Sequence, residues 1–578
     1  MTRDSLADDA KFETTRRLLA ELINEGLVEA IDHSPHCHQR QLYLQNRTKD
    51  FQGQMWATVN LRPEAIVVIK NTKVQPIIRP ADLTRPVIIK INQNEAEELD
   101  PGVLVSFLIP SVPAHIGIEV IDDIALELRN SAANQVVWMQ IEETRRPLRL
   151  EDSSSIQWEQ SLIHGHPTHP FHRLCYAQPP LKDVYPGDIP GMLSPQIAFI
   201  SLSREQLRYS GPFDQLLGPL LRRLHIPQVH KDDAIVPCLA QQIPAIMQRF
   251  QGVKVIASTT NCAHAQASMR TVTFGPEIGF KYHLKLSLAC QITSALRTIT
   301  PWTTTAGPIL SDILEKFLPQ NLWIFKEAAA VTGHQKEFGE ARHLSCILRE
   351  DLEDKASGNN EILILAAAFI QKSPQSTLTY AEDLFKLHSL DEKYHWFKRY
   401  VTCLLELFLP PLVKYGIGLE SHGQNVVARV SRSSREVTGF AIRDFGGVRL
   451  HVPTLQHYGV DFSGMIPGGA TMTEDLHDVW SKVHHSLLQN HVGFLVYNLG
   501  LESHGGWGIV RDVLSKTLKN TQSPMGDEFY EYVMKDTMPF KCFLRMRMEG
   551  KYRDYVEREV PNIIHKGSGR WEQIFNDD

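Results

Sequence analysis

Ile163-His164-Gly165-His166-Pro167-Thr168-His169-Pro170 puts three histidines and two prolines into eight residues, shortly after Trp158-Glu159-Gln160. Each proline fixes its own φ near −65° and pushes the preceding residue toward extended geometry, so His166 and His169 do not sit inside a helix. Two imidazoles are held on a stiff loop, and Gly165 lets a backbone or ligand come close. Such a loop suits gripping an anion or polarising a carboxylate. The same residues also fit plain surface punctuation or half of a metal site, and the rest of the chain has to decide.

The 578 residues allow about three to four domains. Apolar content of 43% and charged content of 22% are ordinary globular values. A formal charge of −6 without a long Lys/Arg block disfavours nucleic acid as a partner. None of the eight cysteines forms C-x-x-C, so neither a disulfide framework nor a zinc ribbon is expected. The polar first residues lack the apolar core of a signal peptide. The longest apolar run, residues 362–370, is too short to span a bilayer. The expectation is a soluble, cytoplasmic protein without a membrane partner.

Working outward, residues 12–31 predict an amphipathic helix. Val- and Ile-rich runs at 65–70, 74–78, 86–91 and 103–108 predict short strands, and 121–139 a second helix. The charged segment 142–155 reads as a boundary. Beyond the His loop, 178–195 is irregular, 197–202 and 253–259 read as strands and 237–250 as a helix. Residues 280–288 alternate cleanly, with Lys281, His283, Lys285 and Ser287 on the polar face. From Ala289 the period changes to helical, which would make Thr293 and Arg297 neighbours on one helical face. Arg offers a planar fork for phosphate or carboxylate, though a solvated face fits these three residues equally well. Further helices are predicted at 322–330, 361–371 and 394–409, the last broken by Pro410 and Pro411. A boundary near 386–393 gives three units: 1–155, 156–390 and 391–578.

The second constellation lies in the last unit. Gly418-Leu419-Glu420-Ser421-His422-Gly423-Gln424-Asn425 is followed by strands at 426–430 and 437–442, then by Arg443-Asp444-Phe445-Gly446-Gly447. An Asn loop, a hairpin and an Asp-Phe-Gly resemble the phosphate and Mg2+ sites of kinases. Gln424 stands where a kinase would carry its catalytic aspartate, and no Gly-rich loop precedes it. The pattern is that of an ATP site without a kinase base.

Taken in order, G-H-P-x-H-P at 165–170, S-x-R-T at 268–271, K-x-S-L with T-S-x-x-R at 285–297, E-x-H-G-Q-N at 420–425 and R-D-F-G-G at 443–447 resemble the NRPS-independent siderophore synthetases of the aerobactin-synthetase type. L-R-M-R at 544–547, R-D-Y at 553–555 and P-N-I-I at 561–564 look like that family's C-terminal ferric iron reductase/transporter-like segment. The resemblance implies an α+β, multidomain cupped hand. It would have a thumb (1–155), fingers (156–390) and a palm (391–578), antiparallel sheets, a kinase-like ATP-binding palm, and a homodimeric state. It also implies adenylation of a carboxylate such as citrate with ATP and Mg2+, followed by attack of an amine or alcohol.

In that scheme His166, His169, Lys285 and Arg297 would be catalytic. Ser268, Arg270, Thr271, Lys285, Gln424, Asn425 and Asp444 would hold ATP. Thr293, Arg297 and His422 would face the carboxylate, and Glu420, Asn425 and Asp444 would handle ribose and metal. One departure bears on substrate identity: the family usually continues H-P-x-x-K-x-R, whereas here Arg173 holds the Lys position and Cys175 replaces the Arg. Two other readings stay open. One is a small-molecule phosphotransferase using the same palm site. The other is a non-catalytic metal- or siderophore-binding protein built on His33, His36, Cys37 and His38.

Overall fold

The computed structural model describes residues 3–32, 40–46, 55–65, 67, 69–70, 73–74, 77–110, 116–117, 119–374, 376–551 and 556–574. The His33–His38 cluster lies outside the described residues, as do parts of the predicted strands at 65–70 and 74–78. Among the described residues the cysteines are free thiols and no helix is long and apolar enough to cross a membrane.

The first helix, Arg3–Asn24, starts earlier and ends sooner than its periodicity predicts, because the chain turns at Gly26 into the strand Val28–Asp32. That strand joins Arg40–Asn46, Met55–Leu61 and Leu83–Ile91 in an antiparallel sheet. The run 103–108 is helical, not extended. Asp100 caps helix Pro101–Leu108 by accepting from the Gly102 and Val103 amides at 2.7 and 3.2 Å, and Pro101 is pre-set for a first helical turn. With helix Glu119–Thr144 these elements share one apolar core, which also takes in Phe171, Leu174, Leu544 and Met548.

The central part is built on an antiparallel sheet in the order Leu207–Ser210, Glu327–Gly333, Ser345–Glu350, Tyr282–Leu286, Thr271–Phe274, Ala263–Ala265. The alternating run 280–288 is therefore a strand as expected, but its polar face is not solvated: His283, Lys285 and Ser287 are all buried. Arg349 lies directly opposite His283, and Glu327 opposite Arg349. The pleat thus lines His283, Lys285, Arg349 and Glu327 along one inward face.

Several predicted helices are strands. Residues 322–330 divide into Leu322–Ile324 and Glu327–Gly333, and residues 361–371 into strand Glu361–Leu365 and a 3-10 turn. Of 237–250 only Ile243–Arg249 is helical. The predicted helix after Ala289 is a hairpin, Cys290–Ile292 with Ala295–Leu296, turning at Thr293 with φ +57°.

The hairpin Val426–Ser431 and Val437–Ile442 forms as predicted, extended by Glu361–Leu365 and by Leu322–Ile324. The long helix is not broken at its prolines. It runs Leu390–Tyr415 through Pro410 and Pro411, its Phe408, Leu409, Pro411 and Leu412 buried in the largest core. Residues His484–Val492 form a π-helix, the wider coil that proteins use sparingly and often near sites.

Two ends of the chain meet. Glu25 accepts hydrogen bonds from the Leu544 and Arg545 amides at 2.7 and 2.8 Å, which docks helix Phe543–Met548 on the first helix. Glu21 lies one turn away, equally buried. Burial first, and then the neighbouring carboxyl, hold Glu21 well above the ordinary carboxylate range. Burial also pushes Glu25 up to about 7, against the two amides that favour its anion. The pair holds a proton in the folded protein that the unfolded chain releases near 4.5, so its stabilisation is present at low pH and is lost as pH rises through about 7. Glu21→Gln is expected to flatten the fall in melting temperature between about pH 4.5 and 7 and above; a melting series of both proteins against pH checks it.

Candidate active site

The His loop is held from behind by the first helix. Arg17 donates to the carbonyls of His166 and His164 at 3.1 and 3.3 Å, and Thr14 meets His172 at 3.0 Å. Gly165 has φ +64°, and a Cβ there would stand 2.4 Å from the His172 carbonyl, so what approaches this glycine is backbone. Arg173 turns away from the cleft: it donates to the Ile163 carbonyl at 2.9 Å and stacks on Trp138 at 3.8 Å.

The loop fixes the protons of its imidazoles. His166 Nδ1 accepts from the His169 amide at 3.1 Å, and His169 Nδ1 accepts from the Phe171 amide at 3.1 Å. A ring nitrogen that accepts carries no hydrogen, so each ring has its proton on Nε2. Burial pulls His166 down to about 3 and His169 well below its usual range, which keeps both neutral. His169 Nε2 is buried without a hydrogen-bond partner, a donor waiting for an acceptor. Phe543 packs over His169 with ring centroids 4.2 Å apart, and Lys541 lies 5.4 Å from the Phe543 ring.

Lys541 also faces a cleft of about 440 Å³ between the central sheet and the 426–442 hairpin. The cleft gathers Ser268, Arg270, Lys285 and Arg297 from one side, and Glu420, His422, Gln424, Asn425 and Asp444 from the other. Lys285, 3% exposed, sits 3.0 Å from Glu327 and 2.5 Å from Asp444. Arg349, fully buried, stands 3.6 Å from Asp444. Burial alone would raise the Asp444 carboxyl, but Lys285, Arg349 and Arg443 hold it far below its usual range. Asp444 itself sits at φ +63°, which aims it into the cleft from the end of the hairpin. Its neighbour Arg443 is clamped by Glu159 through two contacts, one of 3.0 Å, and donates to the Gln424 carbonyl at 2.9 Å.

The loop 420–425 is braced by the π-helix. Ser486 accepts from the Ser421 amide at 3.1 Å, and His491 bridges the Ser421 carbonyl and the Tyr400 hydroxyl at 3.0 and 2.8 Å. Lys482 reaches Glu420 at 3.2 Å, and against the upward pull of burial it and its neighbours bring Glu420 down to about 2. Gly447 leaves room for the Glu420 carboxylate: a Cβ there would stand 1.9 Å from one of its oxygens and would displace it. His422 Nδ1 accepts from the Gln424 amide at 3.2 Å, so its proton also lies on Nε2, and burial lowers its pKa. Asn425 lies 3.4 Å from the Glu420 carboxylate. Glu420, Asn425 and Asp444 offer the hard oxygen donors that suit Mg2+, two of them firmly ionised.

Arg297 lines the cleft, and Thr293 supports it from the hairpin turn at 3.1 Å without lining the cleft itself. The two are neighbours through a β-turn rather than a helix. Thr271 is buried and pairs with Ser268 at 3.1 Å. Arg270 braces the chain after the hairpin by donating to the Arg297 and Thr298 carbonyls at 2.8 and 3.1 Å. His166 and His169 adjoin the cleft through Phe543 and Lys541 rather than lining it. Glu327, Arg349, Lys482 and Lys541 were not picked out in the sequence. None of them belongs to one of the five motifs of the site, and the fold brings them to it.

Residues 245–371 match the IucA / IucC family, and residues 395–556 match the ferric iron reductase FhuF-like transporter family. The chain is 42% identical over 600 aligned residues to the NRPS-independent siderophore synthetase-like protein ankE of Aspergillus thermomutatus, covering 100% of this chain and 99% of that protein. It is 31% identical to the NRPS-independent siderophore synthetase rfs of Rhizopus delemar, over 72% of this chain and 68% of that one. A D-ornithine–citrate ligase of Staphylococcus aureus is 27% identical over 72% of this chain and 71% of its own. Among solved structures, the petrobactin biosynthesis protein AsbB of Bacillus anthracis superimposes with a TM-score of 0.77 at 16% identity, covering 100% of both chains. The ATP-bound aerobactin synthetase IucA of Klebsiella pneumoniae gives 0.72 at 13% identity, over 96% and 99% of the two chains. The α+β, antiparallel-sheet architecture is thus shared with these synthetases along the whole chain.

Proposed function

Since the chain belongs to the NRPS-independent siderophore synthetase family, and so to the ligases, we propose that its cleft activates a citrate-type carboxylate with ATP and passes the acyl group to an amine or alcohol. The observation that carries this reading is the meeting of two opposed charge sets in one cleft. Arg270, Lys285, Arg297, Lys482 and Lys541 provide cations for a polycarboxylate and a triphosphate, while Glu420, Asn425 and Asp444 provide oxygen donors. Support comes from a citrate ligase among the relatives and an ATP-bound synthetase among the folds it shares.

In this mechanism Ser268, Arg270, Lys285 and Gln424 hold the nucleotide, and Arg297 with His422 holds the acid. A carboxylate oxygen attacks the α-phosphorus, the bond to the β-phosphate oxygen breaks, and pyrophosphate leaves. Lys285 and Arg270 stabilise the negative charge that builds on the phosphate oxygens. Glu420, Asn425 and Asp444 would hold Mg2+, which when bound neutralises phosphate charge. His422, which lines the cleft neutral and protonated on Nε2, donates a hydrogen bond to a carboxylate oxygen and does not act as a base, while His166 and His169 adjoin the cleft through Phe543 and Lys541. An amine nitrogen or alcohol oxygen then attacks the acyl carbon, the bond to AMP breaks, and the nucleophile's proton leaves to water.

The test is ATP-dependent release of AMP and pyrophosphate across citrate, succinate and 2-oxoglutarate, with hydroxylamine as surrogate nucleophile. AMP is expected with one acid, and loss of that activity in Arg297→Ala. ADP in place of AMP would replace adenylation by phosphotransfer, and no nucleotide product with any acid would remove the reading.

A further inference from the structure

Where helix Glu119–Thr144 ends, the chain runs Arg145-Arg146-Pro147-Leu148-Arg149 along a cavity of about 640 Å³ that shares no wall with the cleft. Its other walls come from Gln157 in helix Ser155–Glu159, from Gln160 and Ile163 just after it, and from Tyr380. A further cavity, of about 520 Å³, shares Pro147, Leu148, Arg149 and Pro374 with the first. The strap 147–149 thus has hollow space on two sides.

Three guanidiniums within five residues line this cavity, and among the described residues none of them is ion-paired. Arg146 and Arg149 are exposed, and Arg145 is half-buried. Burial lowers Arg145 below the ordinary guanidinium range, and Tyr380 and Glu142 offset that only in part. The two acids of the wall do not balance the three cations. Burial pushes Glu142 up to about 6, so it can take a proton as an anion arrives, and Asp152 stands exposed at the rim. Arg145 donates to the Gln160 carbonyl, which makes it the link to the active site. On one side of Gln160 is Glu159, the clamp on Arg443 beside Asp444. On the other side the chain enters the His loop, which backs Phe543 and Lys541. Guanidinium forks match carboxylates, each of which accepts two parallel N–H bonds, and the volume is that of a small-molecule site.

We propose that this cavity is an effector site for a molecule with two or more carboxylates, and that its occupancy weakens the grip of the cleft on the acid. Arg146 and Arg149 hold two carboxylates at the mouth, and Arg145 turns from the Gln160 carbonyl to the ligand. Gln160 then loses the brace that sets both Glu159 and the approach to the His loop. Two sources supply this chemistry: the acid itself at high concentration, or the condensed product, which keeps the carboxylates that did not react. The inhibition rests on the adenylation reading, whereas the binding does not.

Calorimetric titration of Arg297→Ala, whose cleft no longer holds the acid, isolates the site. The probes are citrate, chemically made citrate monohydroxamate and inorganic phosphate. One saturable site for a carboxylate probe is expected, weakened about tenfold or more when Arg146→Glu and Arg149→Glu are added, the scale of one charge-assisted contact. With Arg297 in place, AMP release should fall at high citrate or on adding the hydroxamate. Arg146→Glu with Arg149→Glu should abolish that fall while leaving kcat and KM at low citrate unchanged. Arg146→Ala with Arg149→Ala repeats the comparison without charge reversal, and melting curves verify that each protein is folded. The tighter carboxylate probe names the source. No binding to Arg297→Ala, binding indifferent to both double variants, phosphate held as tightly as citrate, or inhibition that is absent or survives loss of the two arginines would each overturn the effector site. No AMP with any acid would remove adenylation, and the calorimetry would still decide whether the cavity binds carboxylates.

Discussion

Asp444→Asn is expected to lower acid-dependent AMP formation by about 10²–10³-fold, the scale on which single preorganised electrostatic groups act, and to leave the fold intact. The substitution is nearly isosteric, and it leaves Lys285 its second partner, Glu327, at 3.0 Å. What it removes is a carboxylate kept ionised by Lys285, Arg349 and Arg443 despite its burial. Within that charge set Arg443 keeps Glu159, and Arg349 keeps its bonds to Gln266 and His283 while losing its nearest carboxylate, so the expected loss of stability is modest beside the loss of activity. Initial-rate measurement of AMP, with a thermal melt as control, checks the split. Equal loss of activity and of melting temperature would reduce Asp444 to a structural residue.

The second large effect concerns Glu159. Glu159→Ala strands the Arg443 guanidinium, 3% exposed, without its counter-ion. Removing one partner of a buried pair costs about 3–5 kcal/mol, whereas replacing both by apolar residues is often neutral. The single variant should therefore melt well below the parent, and Glu159→Leu with Arg443→Met should recover most of that loss. Activity should not return in the double variant, because Arg443 also fixes the Gln424 carbonyl and leads directly into Asp444. Melting curves and AMP release on the same three proteins separate the two contributions.

The parts of this cleft that could be read from the chain are those whose chemistry is local. The strand Tyr282–Leu286 announces itself by alternation, and the hairpin after Asn425 by two β-branched runs around a polar turn. Residues 290–297 carry a helical spacing in Ile292 and Leu296, and strands of three and two residues are too short to show their own period. The turn that decides the matter needs a positive φ at Thr293, a residue that gives no such signal. The segments 322–330 and 361–371 are apolar runs, and a strand buried on both faces cannot be told from a buried helix by period. Asp100-Pro101 was the legible sign that 103–108 is helical. The two prolines at 410 and 411 predicted a break that burial of their surroundings overrides.

The bond from Glu25 to the amides of Leu544 and Arg545 spans 519 residues of chain. On a ribosome adding about 5–20 residues per second, the first helix is made on the order of half a minute to nearly two minutes before its cover. During that interval its apolar face can pack on the first sheet and helix Glu119–Thr144, but the Glu25 carboxyl lacks the two amides that it accepts from. Lys541, which faces the cleft, arrives in the same late segment. Birth of the protein thus has an order: a nascent chain carries the motifs of the cleft while still lacking Lys541 and the helix Phe543–Met548 that follows it.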